Sequence, residues 1–183
     1  MFSVSPFSAL RSSPQDGSYA RVNSRLSRSA ALFAVGGGIA AAGFFGAGTA
    51  AAAPVTCVSP PSANDIQVEG NASCGATSAD ASHSSATAAD SGTAVSVSES
   101  AGNTSTLATG YGTALGASRA GGTAYAGAIG GGIAHSWADN GGTTIAVAGW
   151  GSGATAEAAG VDCVGTWSLA LNLSSGQFCA FGS

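Results

Sequence analysis

Residues 91–150 read SGTAVSVSES AGNTSTLATG YGTALGASRA GGTAYAGAIG GGIAHSWADN GGTTIAVAGW, a decapeptide present in six copies. Gly is the second residue of every copy, at positions 92, 102, 112, 122, 132 and 142. The fourth, sixth and eighth positions hold Ala, Ser, Thr or Gly, whereas the fifth and seventh hold most of the large apolar residues. Alternation with period two is typical of a β-strand. Short units at a fixed period indicate strands that stack in a regular array, so we predict an all-β, short-repeat β-solenoid or β-roll with a glycine at each corner.

The pattern leaves open which face of the strands points inward. If the fifth and seventh positions point inward, each decapeptide is half of a two-sided coil, and the larger side chains form the core. If the small residues point inward, two sheets approach closely and the larger side chains form an outer stripe. We favour the first arrangement, because so many exposed apolar side chains would need a partner to cover them. It predicts a core of Val95, Val97, Leu107, Leu115, Trp137, Ile145 and Val147.

The beginning of the chain has the features of a secretory signal. Four of the five basic residues precede an apolar run, residues 30–53, which ends in small residues. A basic segment, an apolar segment and an A-x-A site define such a signal, so we assign residues 1–52 to it and expect cleavage after Ala52. The basic segment is over-long, and we predict that translation starts at Val22. The low Leu, Ile and Val content favours cleavage over a retained membrane anchor, and the residues before Cys57 form a poor lipobox.

The predicted mature chain, residues 53–183, is acidic and poor in large apolar side chains. It holds one basic residue, Arg119, and eight acidic ones. So few cations cannot neutralise phosphates, which excludes a nucleic-acid partner, and an anionic membrane surface should repel the chain. No stable membrane span is expected after cleavage. The scarcity of large apolar residues favours close stacking over Ala and Ser, or self-association as a homo-oligomer.

The sequence around the repeat divides the mature chain into three parts. Residues 53–90 form an entry segment with irregular, proline-containing sequence and degenerate first repeats, in which Ile66 to Val68 suit a short edge strand. Residues 91–160 form the decapeptide domain. Residues 161–183 form a C-terminal cap, since alternating leucines, the turn residues Ser174 to Gly176 and the stretch Gln177 to Phe181 predict a hairpin. Such a cap would cover the open edge of the last coil.

The four cysteines favour two disulfides in an exported protein. Of the three pairings, we prefer Cys57 with Cys74 and Cys163 with Cys179, because each pair lies within one end segment. A structural zinc site is disfavoured because the C-x-x-C spacing is missing.

The chain resembles two groups of proteins. The repeat is similar to the head domain of trimeric autotransporter adhesins, in which short Gly-, Ala- and Ser-rich units coil into a β-roll, although the ten-residue period is shorter. The leader, the paired cysteines and the Ala/Gly/Ser-rich middle together resemble small secreted actinobacterial proteins of unknown function. These resemblances imply a β-roll outside the cytoplasm and bring no catalytic residue with them.

The sequence contains no convincing constellation for catalysis or for cofactor binding. His135, Ser136 and Asp139 are neighbours in one strand and turn, so they cannot easily assemble as a triad, and no G-x-S-x-G motif occurs. The glycine-rich stretch 149–153 lacks the strand-turn-helix context of a phosphate loop. Calcium-binding β-rolls need an Asp in every unit, which this repeat does not have. We therefore expect no catalytic residue, no cofactor and no metal.

Three aromatic residues of the repeat, Tyr125, Trp137 and Trp150, are candidates for surface contact. They could form an exposed strip that binds an envelope glycan or a host surface, but packing in the core or in an oligomer seam is favoured. The sequence thus predicts a secreted protein, extracellular or associated with the cell envelope, that is not an enzyme and has a structural or adhesive role. The alternative is an extracellular glycan- or surface-binding module.

Overall fold

The computed structural model describes residues 53–180, and all regular structure among them is β-strand. The predicted signal peptide and Phe181 at the end of the predicted hairpin lie outside the described residues. The fourteen strands are β1 Val55–Ser59, β2 Asn64–Glu69, β3 Ala72–Ser78, β4 His83–Ala89, β5 Thr93–Ser98, β6 Asn103–Thr109, β7 Thr113–Ser118, β8 Thr123–Ile129, β9 Ile133–Ala138, β10 Thr143–Gly149, β11 Gly153–Ala156, β12 Val161–Val164, β13 Ser168–Asn172 and β14 Gln177–Ala180.

The strands form two seven-stranded sheets, and from β3 to β11 successive strands alternate between them, which confirms the predicted β-solenoid. Sheet A has the order β1-β4-β6-β8-β10-β13-β14, and sheet B has the order β12-β11-β9-β7-β5-β3-β2. Within the repeat each strand pairs in parallel with the strand two decapeptides later, so that Thr93 lies beside Thr113 and Thr123 beside Thr143. One coil therefore takes two decapeptides, one for each sheet.

The small residues face the interior, and the predicted core of large side chains was wrong. The fourth, sixth and eighth positions are buried, as Ala94, Ser96 and Ser98 illustrate, and none of Val95, Val97, Leu107, Leu115, Trp137, Ile145 and Val147 is buried. The sheets are too close for larger inward residues: the short side chains of Ser98 in sheet B and Thr104 in sheet A already meet, with their hydroxyl oxygens 2.9 Å apart, whereas sheets in ordinary sandwiches pack about 10 Å apart. A layer of Ala and Ser fills this gap without forcing the backbone apart.

Hydroxyl groups in the thin core bond to one another across the gap. Ser98 Oγ donates to Thr104 Oγ1 of the opposite sheet at 2.9 Å, and the oxygens of Thr104 and Ser118 are 2.7 Å apart. Among residues 53–180, no buried side-chain nitrogen or oxygen lacks a hydrogen-bond partner. A buried polar group is costly only when it is unpaired, so this core tolerates Ser and Thr beside Ala.

Side-chain size is matched between the facing sheets. A Cβ atom at Gly116 would lie 2.6 Å from the Cγ2 atom of Thr104 and 2.8 Å from that of Thr106. Each of these threonines projects a methyl group into the space that a side chain at Gly116 would take. The glycine is therefore required by packing, and its backbone needs no left-handed conformation.

Each corner is a tight turn whose two central residues have positive φ. At one corner these are Asp90 (φ 48°) and Ser91 (φ 66°), and Gly92 N–H donates to the Ala89 carbonyl at 2.8 Å. Positive φ at both central positions matches the type I′ turn, which reverses a chain in two residues. Corners at 100–101, 120–121 and 140–141 follow the same pattern. This turn leads from one sheet directly to the facing one.

The glycine at every tenth position directly follows the two central residues of the turn. The sequence predicted a glycine at the corner itself, and the structure places it one position later. None of the six has positive φ. Gly122 lies where the chain enters a strand, and a Cβ atom there would be 2.7 Å from the carbonyl carbon and oxygen of Ala138 in the next coil. Absence of a side chain lets the two backbones approach.

Antiparallel strands close both ends of the parallel stack. At the start, β1 pairs with β4 and β2 with β3; at the end, β12 pairs with β11 and β13 with β10. The predicted edge strand around Ile66 is β2, and the predicted hairpin is formed by β13 and β14. Residues 72–89, for which degenerate coils or a partly ordered entry were predicted, form the regular strands β3 and β4.

Both predicted disulfides are present, and each joins the two sheets. Cys57 on β1 bonds to Cys74 on β3, and Cys163 on β12 bonds to Cys179 on β14. The first pair is buried inside the first coil, and the second pair packs against the other end of the core. A covalent link therefore fixes the sheet separation at each end of the solenoid.

Replacing Gly122 by Ala is expected to destabilise the protein by about 3 kcal/mol, because the new methyl group would overlap the Ala138 backbone. Gly121→Ala is the matched control: Gly121 has φ 75° and no close non-local neighbour, so it should lose only about 1–2 kcal/mol from left-handed strain. Urea unfolding of both variants measures the difference. Equal losses would contradict the close-approach explanation.

Removing either disulfide by a Cys→Ala pair should lower the free energy of unfolding by about 3 kcal/mol, since each closes a loop of similar length. The wild type and the two double variants would be compared by urea unfolding followed by far-UV circular dichroism. An unchanged midpoint for Cys57→Ala with Cys74→Ala would show that the first coil does not need its link.

Candidate interaction surface

The outer surface of sheet A, called face A, consists of the outward side chains of its seven strands. Two rows run across it. One row comprises Val58, Ser85, Ser105, Tyr125, Ile145, Leu171 and Phe178, and the other comprises Thr56, Thr87, Leu107, Gly127, Val147, Leu169 and Ala180. Apart from the exposed Val58 on the edge strand, both rows carry hydroxyl residues at the N-terminal end and become apolar toward the C-terminal end. Face A therefore has a mostly polar half and an apolar half.

No Asp, Glu, Lys or Arg of residues 53–180 projects from face A, and its one histidine is the exposed His83 on β4. The nine Asp, Glu and Arg residues between positions 53 and 180 lie on strands or strand ends of sheet B or at the corners; they are Asp65, Glu69, Asp80, Asp90, Glu99, Arg119, Asp139, Glu157 and Asp162. Exposed side chains on face A include Leu107 and Tyr125, at 45% and 47% of their full accessibility. A charge-free surface with exposed aromatic and aliphatic groups has the composition of an interface core.

The outer surface of sheet B, called face B, also carries apolar side chains but is crossed by one ion pair and by one histidine–carboxylate contact. Arg119 lies 3.5 Å from the Asp139 carboxylate and 5.4 Å above the ring centroid of Trp137. His135 Nδ1 lies 3.3 Å from Glu157 Oε1. Because these groups are exposed or half-exposed, they keep face B hydrated and contribute little to stability.

A cleft bordered by two tryptophans adjoins the apolar half of face A. Trp150 occupies the corner after β10 with φ 41°, and its ring packs edge-to-face with that of Trp167, with centroids 5.3 Å apart. Gly130, one coil earlier, makes room for this ring, because a Cβ there would be 2.9 Å from Trp150 Cδ1. The cleft has a volume of about 300 Å³, and its other apolar walls are Ile129, Val147 and Leu169.

The three aromatic residues singled out in the sequence do not share one surface. Tyr125 projects from face A and Trp137 from face B, while Trp150 lies at a corner. The ring that Trp150 does contact belongs to Trp167, which the sequence placed only in the cap. No repeat position links these two residues, and only the return of β13 alongside β10 brings them together.

The candidate catalytic residues also separate. His135 projects outward on face B, Ser136 points into the core with its oxygen 2.8 Å from Thr144 Oγ1, and Asp139 pairs with Arg119. Among the described residues, no group of three or more His, Cys, Asp or Glu side chains is arranged to hold a metal ion. The same part of the chain contains no helix long and apolar enough to cross a bilayer.

Comparison with known families places the chain. A model for a family of unknown function (DUF6764) matches residues 22–182. The chain belongs to the DUF6764 family. No curated protein and no solved structure matches it. The exposed surfaces of this DUF6764 member are therefore the evidence that bears on its function.

Trp150→Gly is expected to reduce the binding of a neutral solvatochromic dye such as Nile red severalfold, because the variant removes one wall of the cleft while glycine accepts the positive φ at this corner. Tyr111→Gly is the control, since Tyr111 is another corner aromatic with positive φ (66°) and is highly exposed. Dye emission would be titrated in dilute protein. Equal loss in both variants would contradict a site at the cleft.

Proposed function

We propose that this DUF6764 protein is a non-enzymatic structural or adhesive element of the cell envelope or extracellular space. The observation that carries the proposal is the contrast between a closed, disulfide-linked solenoid and its charge-free, partly apolar face A. A thin core that is hydrogen-bonded throughout offers a rigid support, and face A offers a surface suited to contact with another macromolecule.

An exported location is supported by the cysteine chemistry and by the leader. Both disulfides bridge the sheets, and such links persist in oxidising compartments. The order of basic, apolar and small residues in positions 1–52 is that of a secretory signal. Each feature suits a protein that works outside the cytoplasm.

A non-enzymatic role is supported by the arrangement of the reactive side chains. A nucleophile and its base must come within hydrogen-bond reach, but His135 and Ser136 project to opposite sides of one strand. The four cysteines of the chain are all oxidised in disulfides. Face A thus offers non-covalent contacts through its hydroxyl, aliphatic and aromatic groups.

A second candidate function, binding of a glycan or a host surface, is favoured by the paired rings of Trp150 and Trp167. Aromatic rings offer flat surfaces for a sugar ring, but glycan recognition also needs polar groups that fix orientation. The walls of the cleft are almost entirely apolar. The cleft therefore suits an apolar side chain better than a sugar, which places this function second.

Deleting the gene in its native host is expected to reduce cell-cell or cell-surface adhesion, and purified wild-type protein added back should restore it and be retained in the envelope fraction. Retention by an envelope-glycan column, lost in Trp150→Gly but kept in Tyr111→Gly, would instead support the second candidate. Unchanged adhesion, with all of the protein free in the culture fluid, would refute the structural role.

A further inference from the structure

We propose that face A is the contact surface of a homodimer, with face A of a second copy lying on it. The inference rests on the proposed structural role and specifies how that role begins, by pairing two solenoids side by side. Four properties of the described residues lead to it: the apolar character of the face, the placement of the charges, its area, and its relief.

Apolar exposure on face A is larger than isolated surface residues would give. Tyr125, Ile145 and Leu171 are side by side on β8, β10 and β13, and Val147 is beside Leu169 in the parallel row. The half-exposed Leu107 lies on the next strand, β6, beside β8. Covering such a patch removes apolar surface from water and favours association.

The placement of charge identifies a second copy as the occupant. Eight acidic residues and one basic residue are distributed over sheet B and the corners. Contact between two copies through face B would bring acidic groups of the same sign together, which is costly in an interface. Contact through face A brings together no acidic side chain of its own strands, and at its border Asp90 accepts a hydrogen bond from Thr109 Oγ1 at 3.2 Å. Face A is thus the broad surface through which identical acidic chains meet with the least repulsion.

The area of face A is sufficient for a specific dimer. Seven strands at about 4.8 Å spacing, each of about five to seven residues rising about 3.3 Å, cover on the order of 600 Å² before the relief of the side chains is counted. Specific interfaces bury about 800 Å² on each partner. Two such faces therefore approach the standard interface size.

The relief of face A provides both a projection and a recess, as a self-complementary interface requires. Tyr125 projects from β8, and two residues further along the same strand Gly127 leaves a gap between Leu107 and Val147. A two-fold axis over this region would present the projecting ring of each copy to the recessed part of the other. The Gly127 position is thus explained by contact, since a side chain there would meet nothing nearer than 3.8 Å.

The test uses the secreted protein with both disulfides formed and measures its mass by sedimentation velocity across a concentration series. Wild type is expected to dimerise with Kd of about 10 μM or tighter, since interfaces of about this size span the μM to pM range. Leu107→Glu with Tyr125→Glu should weaken dimerisation at least about tenfold, because it buries unpaired charges. The matched control is Leu115→Glu with Ile133→Glu on face B, at positions of comparable exposure (38% and 59%), which should remain dimeric.

Folding of both double variants is checked by circular dichroism and by non-reducing mass mapping of the disulfides. A wild type that stays monomeric at about ten times that Kd, or a control variant that dissociates while the face A variant does not, would overturn the inference. Recruitment to neutral phosphatidylcholine vesicles without dimerisation would overturn it in favour of a lipid-facing surface. If dimers form but gene deletion leaves adhesion unchanged, the proposed function fails and the dimer inference stands. If the protein stays monomeric yet restores adhesion, the dimer inference fails and the proposed function stands.

Discussion

The close approach of the two sheets is the constraint on which the rest of the structure depends. Two-residue corners leave no length of chain with which to separate the sheets, so each coil must close over a layer only one small side chain thick. Ala and Ser meet that requirement at positions such as Ala94 and Ser96. Glycines such as Gly122 and Gly116 meet it where even a methyl group would collide with a facing backbone or side chain. Hydroxyls then satisfy one another across the gap, as Ser98 and Thr104 do.

This constraint also decides what the surface contains. In an ordinary sandwich the large apolar residues of an alternating strand fill the space between sheets. Here that space is already full, and Leu107, Tyr125 and Val147 must take the outward positions. Their exposure follows from the geometry of the coil and would carry a solubility cost if nothing covered them. Within residues 53–180, Asp, Glu and Arg are confined to sheet B and the corners, so face B stays hydrated and the solubility cost falls on face A.

Much of the fold was predictable from the sequence, because the signals were local. Period-two alternation identified strands, the decapeptide spacing identified the solenoid, and the proximity of Cys163 to Cys179 within one segment identified their pairing. Which face of the strands points inward was not predictable by the same means. Alternation shows that two faces differ, but it does not show which of them is buried. The preference for large residues inside was wrong because the argument from exposure ignored how little space a corner such as Asp90–Ser91 allows.

The candidate surface was less predictable than the fold, because a coil takes two repeats. Residues ten apart go to opposite sheets, so Tyr125 and Trp137, which look like neighbours in the alignment of the repeats, end on opposite faces. Residues twenty apart become neighbours, which is why Tyr125 lies beside Ile145. Trp167 comes beside Trp150 through the non-repeating hairpin, and no period in the sequence reports such a contact.

The ends of the solenoid determine the direction in which association can proceed. A stack of parallel coils would present an open edge at each end, and such edges add further strands readily. Here β1 and β2 at one end, and β12 and β13 at the other, run antiparallel to the coil strands they cover, and β14 is added antiparallel to β13. These strands interrupt the parallel pairing of the coils, and a disulfide holds each end closed. Growth along the stacking axis is therefore disfavoured, and contact through the broad outer faces remains. Face B is bordered by Arg119, Asp139 and Glu157, whereas no Asp, Glu, Lys or Arg of residues 53–180 projects from face A. This difference supports the proposed sideways contact through sheet A.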